Sequence, residues 1–208
     1  MQSDLELIGR QSSHYTRVAR MFALELGLAP RFRPIYQLMS QDPAEFADNP
    51  ALKLPILRIN GEALFGTLNI CRQLAREVAA EDQVFWPEQA QSLLLMNAHE
   101  LVAHAMAAQV DVVAHELVEK RPADTVSRKR RQSLLGTLAW LDQQLPQIAS
   151  DLPPLRLSFF EVSLYCLLSH FPFRNPIDLQ PYPVLNRFAA QFGERESAQA
   201  TPYRFDQP

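Results

Sequence analysis

An α/β segment followed by an all-α segment is the fold class that the sequence predicts, and three observations carry it. The hydrophobic period changes repeatedly over residues 1–80, whereas a helical period runs almost unbroken beyond residue 89. Asn60-Gly61, flanked by LKLPILRI and EALF, is the strongest short hairpin signal in the chain. The polar stretch EDQVFWPEQ, with Pro87 inside it, separates the two regimes.

The elements follow in order. Leu5, Leu7 and Ile8 form a short strand-like run ending at Gly9. Behind Ser12 and Ser13, Val18, Met21, Phe22 and Leu26 recur at helical spacing, and Gly27 is a helix stop. Phe32, Pro34 and Tyr36 alternate as in a strand, and Pro34 assigns that strand to an edge because it donates no ladder bond. Asp42-Pro43 opens a short helical or irregular piece, the hairpin about Asn60-Gly61 follows, and Thr67 opens an amphipathic helix through Leu68, Cys71, Leu74 and Ala75. The order is βαβ, then ββα. Two long helical patterns come next, about Gln89–Lys120 and Asp124–Leu145, the second ended by Pro146. Ser158 and Glu161 make a capping box before a further helix, a last short helix follows Pro183, and the tail from Glu194 reads as irregular. The expected boundaries are an α/β domain over 1–80, a linker over 81–88 and a helical domain over 89–208.

Composition narrows the chemistry. Twenty basic against 23 acidic side chains give a formal charge of −3, which speaks against nucleic acid as a partner. With six glycines and no G-x-x-x-x-G-K-[ST] or G-x-G-x-x-G, there is no phosphate cradle. Cys71 and Cys166 are the two cysteines; they form no C-x-x-C and read as buried, reduced core thiols. The N-terminus MQSDLELIGRQ has an early acid and no apolar core of a signal peptide, and no apolar run is expected to reach the roughly 18 residues of a membrane span. The expectation is a cytoplasmic protein with no membrane partner.

Two helix starts concentrate the candidate chemistry. Ser12 and Ser13 lie between a strand and a helix, where a serine caps the helix or, equally, sets a hydroxyl among unpaired N–H groups at a positive dipole end able to stabilise a thiolate. Thr67 repeats that geometry at a second helix start, suited to a carboxylate. Leu54-Pro55 precedes the hairpin; were the bond cis, the Leu54 N–H and C=O would face an extended, peptide-like ligand, and were it trans, Pro55 would be an edge proline without a role.

The ordered blocks SSHYTRVARMFALELGL and NPALKLPILRINGEALFGTLNI resemble the N-terminal, thioredoxin-like domain of the cytosolic glutathione transferases. That family's pattern runs S-P-Y-x-R-x-x-R…G-L, N-P-x-x-K-[VI]-P-x-L and G-x-x-L-x-[EQ]-S-x-x-I. YPVLNRFAAQF and RESAQAT are similar to the end of its helical domain. The resemblance implies that Ser13 holds the glutathione thiolate, with Ser12 the rival because one version of the motif uses the first serine of the pair. It implies that the Leu54 backbone beside a cis Pro55 holds the cysteinyl part, and that Thr67 holds the γ-glutamyl carboxylate. Gly66 stands where the family has Glu or Gln, which removes one polar contact to the γ-glutamyl group and about 1.5–3 kcal/mol of binding. His14 replaces the proline of S-P-Y and adds a titratable group at the cleft, with an outward-facing ring the simpler expectation.

The resemblance therefore implies a homodimeric protein that adds glutathione, as co-substrate and with no cofactor, to a small apolar electrophile or isomerises one. The alternative is the same fold kept as a binding or regulatory module, and Gly66 is the residue that favours it. Elsewhere, Glu100, His104, Asp111 and His115 share one helical stripe, expected to line a wet cleft between helices or subunits rather than to bind a metal. Arg128-Lys129-Arg130-Arg131 reads as a solvated face, and Phe159, Phe160, Phe171 and Phe173 as core packing or, failing that, the lining of an acceptor pocket.

Overall fold

The computed structural model describes residues 4–174 and 177–207. The chain divides into two compact units, Met1–Val84 with Arg195–Pro208, and Phe85–Glu194. The first is built on a four-stranded sheet of β1 (Leu5–Gly9), β2 (Arg31–Pro34), β3 (Ile56–Ile59) and β4 (Glu62–Phe65), in the order β2-β1-β3-β4. β1 and β2 are parallel, joined through helix α1 (His14–Glu25); β1 with β3 and β3 with β4 are antiparallel. Pro34 ends the edge strand β2, where its missing N–H costs no ladder bond. Asn60 and Gly61, with φ of 51° and 91°, supply the two left-handed residues of the tight β3–β4 turn. Helix α2 (Thr67–Glu77) follows β4 directly. This is a thioredoxin-like βαβ–ββα unit.

Local chemistry explains the ends of α1. Ser13 caps its start, its Oγ accepting from the Thr16 N–H at 3.3 Å. At the other end Gly27 (φ 72°) permits a Schellman closure, with Leu28 N–H donating to Ala23 C=O at 2.8 Å and Gly27 N–H to Leu24 C=O at 3.0 Å. Val18, Met21 and Phe22 of α1, Ile70, Cys71 and Leu74 of α2, and the register-paired Leu7 and Leu57 are all buried. A second cluster gathers Ile8, Ile35, Phe46, Ala47 and Ile56, with Leu52, Leu54 and Phe65 packed against it. At about 1.5–3 kcal/mol for each large apolar side chain buried, these two cores hold the sheet.

The tail from Arg195 belongs to this first unit. The short helix α7 (Glu196–Gln199) packs on α1, and Arg17 of α1, 4% exposed, donates to Thr201 Oγ1 at 3.3 Å and to Ala198 C=O at 3.0 Å. A side chain with that many donors is buried only when they are met, and residues nearly two hundred positions away meet them.

The second unit is helical. Its members are α3 (Leu93–Val112), continued by a π-helical stretch over Val113–Val118, α4 (Thr125–Asp151), α5 (Phe159–Arg174) and α6 (Pro183–Phe192), with α3 packed on α4 and α5 and α6 packed on α4 and α5. Two expectations are corrected here. Pro146 does not end α4, which runs on to Asp151. The proline costs the helix about 3 kcal/mol, but Leu145 and Ile148 on either side are both buried, and their packing offsets it. By length and composition, Leu93–Val118 is apolar enough to cross a membrane, contrary to the expectation that no run would be. In the bundle, however, Leu95, Ala98, Val102, Ala105 and Met106 of that helix are buried, and its Asp111 and Glu116 pair with α4.

That pairing also revises the reading of the charged segments. Asp111 meets Arg130 at 3.1 Å, Glu116 meets Arg131 at 2.6 Å and His104 Nε2 lies 2.7 Å from Ser133 Oγ, so the polar stripe of α3 faces part of the basic run of α4. His115 has turned to the Pro122 carbonyl at 3.1 Å, since the π-helical stretch that begins at Val113 breaks its register with Asp111. Val84, Phe85 and Trp86 of the expected linker are buried.

Candidate active site

The register of the sheet gathers the predicted residues. Ile8 pairs with Ile56 and Ile56 with Phe65, so Gly9, Pro55 and Gly66 fall at one end of three adjacent strands. The turn Arg10–Ser13, the Leu54-Pro55 bond and the start of α2 follow from that end. Strands lie about 4.8 Å apart, which sets the two helix starts roughly 10 Å from one another across the sheet.

At the first of these starts the chain turns tightly. A Cβ on Gly9 would lie 2.5 Å from Thr16 Cγ2 and Oγ1, so only glycine lets β1 pass the first turn of α1 this closely. Arg10 N–H donates to Thr16 Oγ1 at 3.3 Å and Ser13 N–H to Arg10 C=O at 3.1 Å. Ser13 is half-buried, and its oxygen already accepts from the Thr16 N–H. Its hydroxyl hydrogen is thus left to donate, at the positive end of a twelve-residue helix. Ser12, also half-buried, sits one residue earlier in the turn. His14 is not outward-facing: it is 1% exposed, packed against the Tyr15 ring at 4.6 Å.

Leu54-Pro55 is a cis peptide bond. Leu54 is half-buried against the second core, Pro55 is buried, and the Lys53 side chain just before them is exposed. Asn49 fixes the approach, its Nδ2 donating to Lys53 C=O at 2.9 Å and its Oδ1 accepting from Ala51 N–H at 3.0 Å.

The α2 start differs from the sequence reading. Thr67 is the first helical residue rather than the cap; the cap position is Gly66, and no side chain caps this end. The leading N–H groups of α2 are therefore available to an anion. Gly66 holds φ 89° and ψ 129°, a conformation that glycine adopts freely and other residues only under strain. Its Cβ position is open, with only Asn69 Nδ2 nearby at 3.6 Å.

Two features near these residues carry no sequence signal of their own. Lys53, inside the quoted block, is an exposed cation next to Leu54. The tail residues Arg204 and Asp206, in a stretch read as irregular, reach the Arg10–Ser13 turn through Gln11, and no local periodicity marks them. In the helical unit, Phe160 and Phe171 are core residues, 1% and 0% exposed. Phe159 and Phe173 are half-buried, Phe159 against Trp86 and Phe173 against His170. Cys71 and Cys166 are both buried thiols in no disulfide, and no group of three His, Cys, Asp or Glu able to hold a metal ion occurs among the described residues.

A thioredoxin-like sheet with two helix starts and a cis-proline at one end, followed in the chain by a helical unit, defines a class of protein to which known relatives can be compared. Residues 7–82 match the model of the glutathione S-transferase N-terminal domain. A glutathione S-transferase from Methylobacillus flagellatus KT, solved with glutathione bound, is 21% identical with a TM-score of 0.76 over 96% of this chain and 100% of its own. A glutathione transferase family member from Pseudomonas fluorescens Pf-5, also with bound glutathione, is 23% identical with a TM-score of 0.76 over 96% and 99%. One from Rhodospirillum rubrum F11 is 16% identical with a TM-score of 0.73 over 98% and 94%. No curated protein matches the sequence. The family match thus covers residues 7–82, and over the rest of the chain the likeness to these solved structures is one of fold.

Proposed function

We propose that the protein binds glutathione at this end of the sheet and uses its thiolate to attack a small apolar electrophile, by conjugation or isomerisation. The observation that carries the reading is Ser13, whose oxygen is engaged by Thr16 N–H while its own hydrogen remains free to donate to a sulfur anion. A hydrogen bond to the charged form lowers the thiol pKa and orients the sulfur for attack; Ser12 is the second hydroxyl within the same turn. The carbon–sulfur bond forms as the electrophile's electron pair departs or shifts, and the thiol proton leaves to solvent.

The rest of the ligand fits the spacing. The γ-glutamyl side chain and the cysteine separate the α-carboxylate from the sulfur by a reach on the order of the roughly 10 Å between the two helix starts. The uncapped α2 start with Thr67 suits the γ-glutamyl carboxylate, the Leu54 backbone beside Pro55 suits the cysteinyl amide, and the exposed Lys53 suits the glycyl carboxylate. Homodimerisation is supported by the outer face of α3, where Leu93, Met96 and Val110 are 77%, 48% and 45% exposed on one helix. We assign the protein to the cytoplasm, with glutathione and its acceptor, not nucleic acid or membrane, as partners.

One observation favours a second reading, a binding module of weak or no glutathione affinity: Gly66 offers no side chain to the γ-glutamyl group. Calorimetric titration with glutathione and S-hexylglutathione distinguishes the two. Saturable heat in the millimolar range or below, with turnover of an aryl halide or epoxide, supports the transferase; no heat at millimolar ligand supports the module.

A further inference from the structure

The C-terminal tail reaches into the turn that carries the serines. The Asp206 carboxylate takes two hydrogen bonds from Gln11, one from its backbone N–H to Oδ2 and one from its side-chain Nε2 to Oδ1, both at 2.9 Å. Arg204 Nε closes the ring, donating to Gln11 Oε1 at 2.6 Å. Every polar atom of the Gln11 side chain is thereby satisfied by the tail, one residue before Ser12 and two before Ser13. The tail is itself anchored on α1: Thr201 is 1% exposed and accepts from Arg17, and the Arg17 guanidinium lies 4.4 Å above the Tyr203 ring. Arg17 sits in the helical turn that Ser13 caps, its N–H donating to Ser13 C=O at 2.9 Å.

We propose that Asp206 is a positioning residue for the thiolate site, and that the segment Thr201–Asp206 is a clamp which fixes the Gln11–Ser13 turn. The inference rests on the glutathione reading of that turn. Its physical basis is simple. The turn holds itself through Ser13 N–H on Arg10 C=O, and Gln11, the first of the two residues between them, has its backbone N–H and its side chain bound to the tail. Without the carboxylate, Gln11 loses two charge-assisted bonds, and the serine hydroxyls lose the fixed direction on which hydrogen bonding to sulfur depends. Because Arg204 and Asp206 lie nearly two hundred positions from Gln11, the site is complete only when residues 201–206 are in place.

The test uses the full chain with Asp206→Ala and Asp206→Asn. Three quantities are read: amide hydrogen exchange at Ser12 and Ser13 in the free protein, glutathione affinity, and the pH profile of the bound thiolate by ultraviolet absorbance. In Asp206→Ala, exchange at Ser12 and Ser13 accelerates by about tenfold or more while the melting temperature stays near that of the wild type. The thiolate profile moves to higher pH, and glutathione binds several-fold more weakly. Asp206→Asn, which keeps one acceptor, falls between. Unchanged exchange at Ser12 and Ser13 overturns the clamp. Faster exchange with an unmoved pH profile overturns the positioning role. A wild type that binds no glutathione overturns the reading of the site as well, an outcome distinct from one in which wild type and both variants bind alike.

Discussion

Ser13 and Gly66 show how much a single position decides in this site. Ser13 serves the fold and the proposed chemistry with different parts of one hydroxyl: its oxygen caps α1 through Thr16 N–H, and its hydrogen remains for a thiolate. Ser13→Ala is expected to cost about 1 kcal/mol in stability, as N-cap losses do, which chemical denaturation measures. Gly66 is free of such a dual role but locked by its backbone, at φ 89°. Gly66→Ala meets no clash and still loses about 1–3 kcal/mol of stability to backbone strain. Gly66→Glu bears the same strain while restoring a polar side chain beside the γ-glutamyl group. Its expected signature is therefore lower stability in denaturant together with about tenfold or tighter glutathione binding in calorimetry. The sequence revealed Gly66 as an odd residue for the resemblance, but not that the position demands a left-handed backbone. That follows from the junction of β4 with α2, which no one-residue signal encodes.

At the scale of elements, local signals were legible wherever chemistry acts over a few residues. Asn60-Gly61, the stop at Gly27 and the edge position of Pro34 each stand where the sequence puts them. Pro146 misled because the helix around it is held by tertiary burial rather than by propensity. The same holds for α6: its start has no side-chain cap of its own, and Asp142 of α4 supplies one, accepting from Val184 N–H at 2.8 Å and Leu185 N–H at 2.9 Å. Asp142→Ala is expected to destabilise the helical unit by about 2 kcal/mol in denaturant while leaving glutathione affinity unchanged. His99 gives α3 a pH dependence. Wedged between the Phe85 and Phe160 rings at 5.7 Å from each, it is driven by burial to a pKa of about 4, against a small opposing effect of Glu88. A histidine whose folded pKa lies below its unfolded 6.5 favours the folded state fully above pH 6.5, and that contribution is lost as the pH falls from 6.5 towards 4. The loss amounts to roughly 3 kcal/mol at most, and thermal melts of His99→Leu between pH 7 and pH 4 should show a much flatter dependence than the wild type.

Across the whole molecule, the two units differ in how much of them the sequence discloses. The helical unit is nearly all local pattern, and its surprises are pairings between helices, such as Asp111 with Arg130, whose basic run reads as a solvated face. The first unit depends on distant chain. Its sheet was readable from short motifs, yet Arg17 is satisfied by Ala198 and Thr201, and Gln11 by Arg204 and Asp206. Contacts between residues so far apart leave no periodic trace, so the tail read as irregular coil. The proposed self-association through the exposed apolar residues of α3 belongs to this scale too. Sedimentation equilibrium is expected to find a species twice the 23.7 kDa chain, and Met96→Glu to shift it towards the monomer. The central claim, that this end of the sheet makes and holds a glutathione thiolate, is tested most directly by titrating the ultraviolet absorbance of bound glutathione against pH. The account predicts a thiol pKa lowered by a unit or more from the roughly 8.5 of a free thiol in the wild type, and returned towards that value in Ser13→Ala. A bound thiol that titrates like free glutathione in the wild type would contradict it.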